Sequence, residues 1–135
     1  MKRHWLVKQE PETYHWNAFV RDGSTAWEGV RNYQARNNLK AMQVGDPVLF
    51  YASGESKSVM GMAVVSKAAF PDATAEEPGW VAVTLKAGKP LRRPVTLAEV
   101  KACAALSQIA LVRNSRLSVM PLEPDAFERI VSMGS

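Results

Sequence analysis

"PVLFYASGESKSVMGMAVVSKAAF", residues 47–70, decides the fold. Its two flanking runs, 47–53 and 58–70, are rich in Val, Met, Phe and Tyr, while "GESK" between them has the composition of a turn. Together they predict a β-hairpin. A third run, "WVAVTLKAG" at 80–88, alternates Val81, Val83 and Leu85 with smaller or polar residues, as a strand with one solvated face does. The connection "PDATAEEPG" at 71–79 is acidic and holds two prolines, which predicts a solvated surface loop with no direct function.

Outward from this hairpin the elements are short. "HWLVKQ" at 4–9 predicts a strand, and "EPETYHWNAFVRDGS" a helical turn carrying Tyr14, Trp16, Phe19 and Val20 that Asp22-Gly23 ends. In "NYQARNNLKAM" at 32–42, Tyr33, Leu39 and Met42 share a predicted packing face and Gln34, Arg36 and Asn37 project elsewhere, before the "VGD" turn at 44–46. On the C-terminal side, Thr96 and Glu99 in "VTLAEVKA" have the spacing of a reciprocal helix cap, and "AALSQIAL" adds another turn. "RLSVMPL" at 116–122 is extended, and "EPDAFERIVSM" predicts a docking helix with Pro124 at its first position and Phe127, Ile130 and Val131 on one stripe. Five strands interrupted by short helices, without regular alternation, imply an α+β fold built on a small, mostly antiparallel barrel.

A chain of 135 residues buries a sufficient core as one domain, 1–135, without disulfides or metal. No apolar run approaches the roughly 18 residues of a membrane span. The apolar stretch from Trp5 to Val7 is broken at once by Lys8 and Glu10, which excludes a secretory signal and predicts a cytoplasmic protein, or a nuclear one in a nucleated cell. Cys103 is alone and His4 and His15 stand apart, so no metal site and no cofactor are expected. Lys and Arg number 17 against 13 Asp and Glu, a net charge of +4, which favours an anionic partner. Phosphate-loop, metalloprotease-helix and nucleophile-elbow patterns are absent from the sequence. Lys8, Glu10 and Thr13 lie close enough for a nucleophile and proton-transfer set, a combination that chance also produces.

One stretch is more polar and aromatic than folding requires. In "AWEGVRNYQARNN", residues 26–38, Trp27 precedes Gly29, where a backbone can come close to whatever the indole faces, and Asn32 offers donors and acceptors to a planar edge. Aromatic faces stack on nucleobases, and amides read their edges. The same residues also suit a plainer arrangement, with Trp27 and Tyr33 in the core and Arg31 and Arg36 on a solvated helix face.

"WLVKQEP" at 5–11, "WEGVRNYQARNNL" at 27–39, "VGDPVLFYAS" at 44–53, "GMAVV" at 61–65, "RRPVTLAEVK" at 92–101 and "LVRNSRLSVMPL" at 111–122 resemble the EVE domain, which is similar to the thymocyte nuclear protein family. The resemblance covers essentially the whole chain. It implies a PUA-like pseudo-barrel with helices packed around it, related to YTH domains that bind a methylated adenine in RNA, and a cleft that takes in a modified base of DNA. It further implies Lys8 and Gln9 as edge and backbone contacts, Trp27 as pocket wall, Asn32 as edge reader and Arg116 as phosphate contact, with Tyr51 and Ser53 lining the opposite side. Val30, Arg31, Ser115, Leu117 and Ser118 fall in the same binding set. Two positions depart from the usual pattern and bear on ligand choice: Gln9 stands where Ser is typical and Ala52 where His is typical.

The expected function is therefore non-catalytic binding of a modified, flipped-out base, a modified cytosine or other base, by a monomer, with DNA favoured over RNA and no membrane partner. Two alternatives stay open. One is an amidohydrolase on a modified nucleoside, as in ASCH domains, using Lys8 with Glu10 or Thr13. The other is a module whose cleft holds a peptide or small metabolite.

Overall fold

The computed structural model describes residues 3–10 and 12–135. Met1, Lys2 and Pro11, the last of these within the "WLVKQEP" block, lie outside the described residues. The hairpin forms as β3 (Pro47–Ala52) and β4 (Ser58–Pro71), paired antiparallel. Around it stand β1 (His4–Gln9), β2 (Ser24–Trp27), β5 (Val81–Thr96) and β6 (Val119–Leu122). They form one six-stranded sheet in the order β2-β5-β4-β3-β1-β6. Among the described residues only β1 and β3 run parallel; the other pairs are antiparallel. Irregular register recurs along β4 and β5 and once in β3, and such bulges bend strands, curling the sheet into the PUA-like pseudo-barrel of an α+β fold.

Two expectations about strands need correction. β2 was not anticipated, because "STAW" has a single large apolar residue; it becomes a strand by pairing with β5, Trp27 opposite Val83. β5 continues past residue 88 through Pro90 and Pro94 to Thr96, since the bulged partner β4 leaves room for residues without an N–H.

Burial is continuous in the middle of the sheet. Trp5, Leu6 and Val7 of β1 and Val48, Leu49 and Phe50 of β3 are all buried, because helices cover the faces of these central strands. α1 (Trp16–Asp22) begins where the His15 imidazole accepts from the Asn17 N–H and ends at Gly23, whose φ of 80° suits glycine. It places Trp16 and Phe19 against Phe50. Gly61 of β4 makes this possible, since a Cβ there would overlap the Trp16 ring. α2 (Tyr33–Ala41) buries Ala35 and Leu39. α3 (Leu97–Ala102) carries the reciprocal Thr96–Glu99 cap read from the sequence. A 3-10 turn (Ala104–Leu106) and α4 (Ala110–Arg113) follow, and α5 (Pro124–Met133) docks through Ala126, Phe127 and Ile130. The turn before β3 is tied to β1 by Asp46, a buried carboxylate that accepts from the Trp5 indole and the Gln43 N–H, each at 2.9 Å. No helix among the described residues is long and apolar enough to cross a membrane.

Candidate functional site

The C-terminal end of β1 divides the expected site residues into two neighbouring sets. On one side, Lys8 donates through Nζ to the Ser115 carbonyl at 2.9 Å and lies 5.8 Å from the centre of the Tyr51 ring. Burial lowers the Lys8 pKa and raises that of Tyr51, which is buried. The Lys8 N–H bonds to the Ser118 carbonyl at 2.8 Å, which holds the 115–118 segment against β1. Leu117 in that segment is buried in the core, and Arg116 is exposed.

On the other side lies a cavity of about 200 Å³ lined by Gln9, Thr13, Tyr14, Thr25, Trp27 and Glu28. Trp27 is 4% exposed and meets Phe19 and Phe50 edge to face at 6.5 and 5.6 Å, so it is at once a core residue and a cavity wall. Gln9 accepts from the Glu10 N–H through Oε1 at 3.1 Å, which leaves its amide group as a donor. The Tyr14 hydroxyl donates to Asp22 at 2.8 Å, and burial, then that bond, raises its pKa. The two sets meet where the Ser53 N–H bonds to the Gln9 carbonyl at 3.0 Å; Gln9 and Ala52, the two departures from the family pattern, are register partners there. Trp27 thus shares its cavity with Gln9, whereas Tyr51 and Ser115 gather at Lys8.

The segment after Trp27 is organised by a residue that sequence reasoning discounted. Asp72, in the loop expected to be a plain solvated connection, has a fully buried side chain. It accepts from the Gly29 N–H at 2.8 Å, from Arg31 at 3.0 Å, and from the Thr74 N–H and hydroxyl at 2.7 and 2.5 Å. Burial alone would raise its pKa, but these donors outweigh it and hold the carboxyl well below the usual carboxylate range. Gly29 adopts a φ of 81°, which turns the chain so that its N–H faces Asp72. Arg31 is therefore neutralised by Asp72, and Val30 is buried. Asn32 caps α2: its Oδ1 accepts from the Ala35 N–H at 2.9 Å, so half of the amide assigned to edge reading holds a helix end.

Tyr33 is also not where the sequence placed it. It is 68% exposed and stacks on Trp80 at 5.2 Å with the rings 22° apart, because it occupies the first turn of α2, outside the face that Ala35 and Leu39 bury. Leu39 and Met42 are buried as expected. Trp80, half-buried in the structure, drew no functional reading from sequence, where the available signal was a Trp directly after an acidic loop. Lys8, Glu10 and Thr13 do not assemble. Lys8 turns to Ser115, Thr13 lines the Trp27 cavity, and Glu10 lines a different one with Glu12 and Glu55. Among the described residues no group of three His, Cys, Asp or Glu could hold a metal ion.

The EVE domain family model matches residues 3–133. The chain belongs to the EVE domain family. Human thymocyte nuclear protein 1 is 30% identical to this EVE domain over 167 aligned positions, covering 98% of this chain and 74% of that protein. The crystal structure of the human protein in complex with 5-methylcytosine-containing DNA matches with a TM-score of 0.90 at 28% identity, over 99% of this chain and 98% of that one. A protein of Agrobacterium tumefaciens matches with a TM-score of 0.96 at 38% identity, over 98% and 93% of the two chains. An ASCH protein of Zymomonas mobilis, with a TM-score of 0.62 at 17% identity over 99% and 100% of the chains, shares the fold alone.

Proposed function

We propose that this EVE domain binds DNA carrying a modified cytosine, taking the flipped-out base into the cavity between Trp27 and Gln9 and catalysing no reaction. The observation that carries the reading is the human relative in complex with 5-methylcytosine-containing DNA, at a TM-score of 0.90 to this chain. The cavity adds physical support. At about 200 Å³ it is smaller than the roughly 300–1,000 Å³ of pockets for drug-sized ligands, which suits one flat ring. Trp27 supplies an aromatic wall, the Gln9 amide a donor for acceptor atoms on the base edge, and Glu28 an acceptor for an amino group. A methyl group buried there contributes about 0.8 kcal/mol, so discrimination also needs a rigid wall, which the Phe19 and Phe50 contacts of Trp27 provide. Arg116, exposed on the segment that Lys8 holds, is the phosphate contact in this reading. The dispersal of Lys8, Glu10 and Thr13 weighs against a hydrolase built on them.

The test is titration of the protein with duplexes that differ in one cytosine, plain or 5-methylated, at fixed salt. The expected result is tighter binding of the methylated duplex, a preference that Gln9→Ala reduces in a protein that still unfolds at the wild-type temperature. Equal affinity for both duplexes sinks the reading.

A further inference from the structure

Outside the Trp27 cavity lies a second and larger one, of about 430 Å³, lined by Arg31, Thr74, Glu76, Glu77 and Trp80. Its aromatic lining residue is Trp80, half-buried and braced from outside the cavity. Tyr33 backs Trp80 at 5.2 Å, and the Arg36 guanidinium lies 5.0 Å from the Tyr33 ring centre and 5.6 Å from that of Trp80. Arg31 sits 5.6 Å from the Trp80 ring and is fixed there by Asp72 and Thr74. Exposed tyrosines do not stack on tryptophans between two guanidinium groups for the sake of the core; Tyr33 contributes 68% of its surface to solvent. The walls are carboxylates. Because Asp72 already neutralises Arg31, and Glu76 and Glu77 add negative charge, a phosphate is repelled from this cavity. What suits it is a flat, uncharged ring that stacks on Trp80 and offers N–H groups to the carboxylates.

Resting on the base-reading function proposed above, we infer that the Trp80 cavity holds a second unpaired base of the same nucleic acid, a guanine, beside the base held by Trp27. Guanine fits best among the bases because its pairing edge carries an imino N–H and an amino group side by side, the donor fork that a carboxylate accepts. The spacing agrees. Glu28 lines the first cavity and Arg31 the second. Three residues span at most about 10 Å, or about three steps of a strand at roughly 3.4 Å each. A guanine one to three steps from the extruded cytosine on the same strand lies within that reach. The domain then holds two nearby bases of one strand, and stacking on Trp80 offsets part of the cost of freeing the second.

The experiment uses strands carrying one 5-methylcytosine or one plain cytosine and, within three steps of it, a guanine, an adenine or an abasic residue, each titrated single and annealed. Wild-type protein should bind the guanine strand about 5- to 150-fold tighter than the abasic one, the range expected for one stacked base. Trp80→Ala should abolish that advantage while the preference for 5-methylcytosine persists. Glu76→Gln with Glu77→Gln, exposed changes that spare the fold, should remove the preference for guanine over adenine and leave the abasic penalty. Equal binding of the guanine, adenine and abasic strands, or a guanine advantage that survives Trp80→Ala, overturns the inference. Free guanosine binding as tightly as the strand overturns it in favour of a small-molecule site. If guanine dependence is seen without any preference for 5-methylcytosine, the second cavity stands and the reading of the first fails; no affinity for any strand overturns both.

Discussion

The carboxylate of Asp72 joins the loop after β4 to the segment leading into α2, and its environment makes it a pH sensor of stability. Its pKa is lowered in the folded protein. The stabilisation it provides is therefore complete above the unfolded value of about 3.9 and is lost as pH falls below that value toward the folded one. Asp72→Asn should cost about 1–3 kcal/mol at neutral pH, since an amide cannot accept from Gly29, Arg31 and Thr74 together. Denaturant melts at pH 7 and pH 3 should show the difference between wild type and variant shrinking at the lower pH; a constant difference contradicts the assignment. Asn32 offers a second comparison. Its side chain caps α2, so Asn32→Ala should destabilise by about 0.5–2 kcal/mol and Asn32→Asp should not, both read by thermal unfolding. If Asn32→Asp keeps the fold but loses discrimination between duplexes, the free half of the amide reads the base edge as well.

At the scale of elements, α1 sits where it does because β4 has a glycine beneath Trp16. Gly61→Ala should push the indole away and cost about 1–3 kcal/mol, the range for overpacking a filled core, with near-ultraviolet circular dichroism reporting the shifted tryptophan. Wild-type stability in that variant would mean that α1 slides freely over the sheet. The helices and the hairpin were legible because their signals are local: Thr96 with Glu99, Pro124 at a first turn, Asp22-Gly23 at an end, and strand runs about the "GESK" turn. β2 was not, since four residues with one large apolar side chain become a strand only through a partner distant in sequence. Tyr33 was misplaced for a related reason. Apolar spacing within α2 marks a stripe, but which side of the helix meets the barrel depends on Ala35 and Leu39 finding their neighbours.

For the molecule as a whole, the net charge of +4 and the exposed Arg116 predict how binding responds to salt. Arg116→Ala should weaken binding of methylated and plain duplexes by a similar factor and reduce the slope of log affinity against log salt by about one, because phosphate contacts position a strand without reading it. A change confined to the preference between duplexes would make Arg116 an edge reader instead.

The amino-acid sequence by itself determined the class of fold, the hairpin at its centre and several element boundaries, because periodicity, caps and turn chemistry act over a few residues; the family and the candidate site residues came from the resemblance of its longer blocks to the EVE domain. The tertiary structure decided which of those residues meet. It placed Trp27 with Gln9 and Tyr51 with Lys8, drew Asp72 from an acidic loop into a buried anchor, and stacked Tyr33 on Trp80. Each of these pairings closes a long loop between positions far apart in the chain, and such closure is set by how the whole sheet curls and packs, which no local pattern encodes.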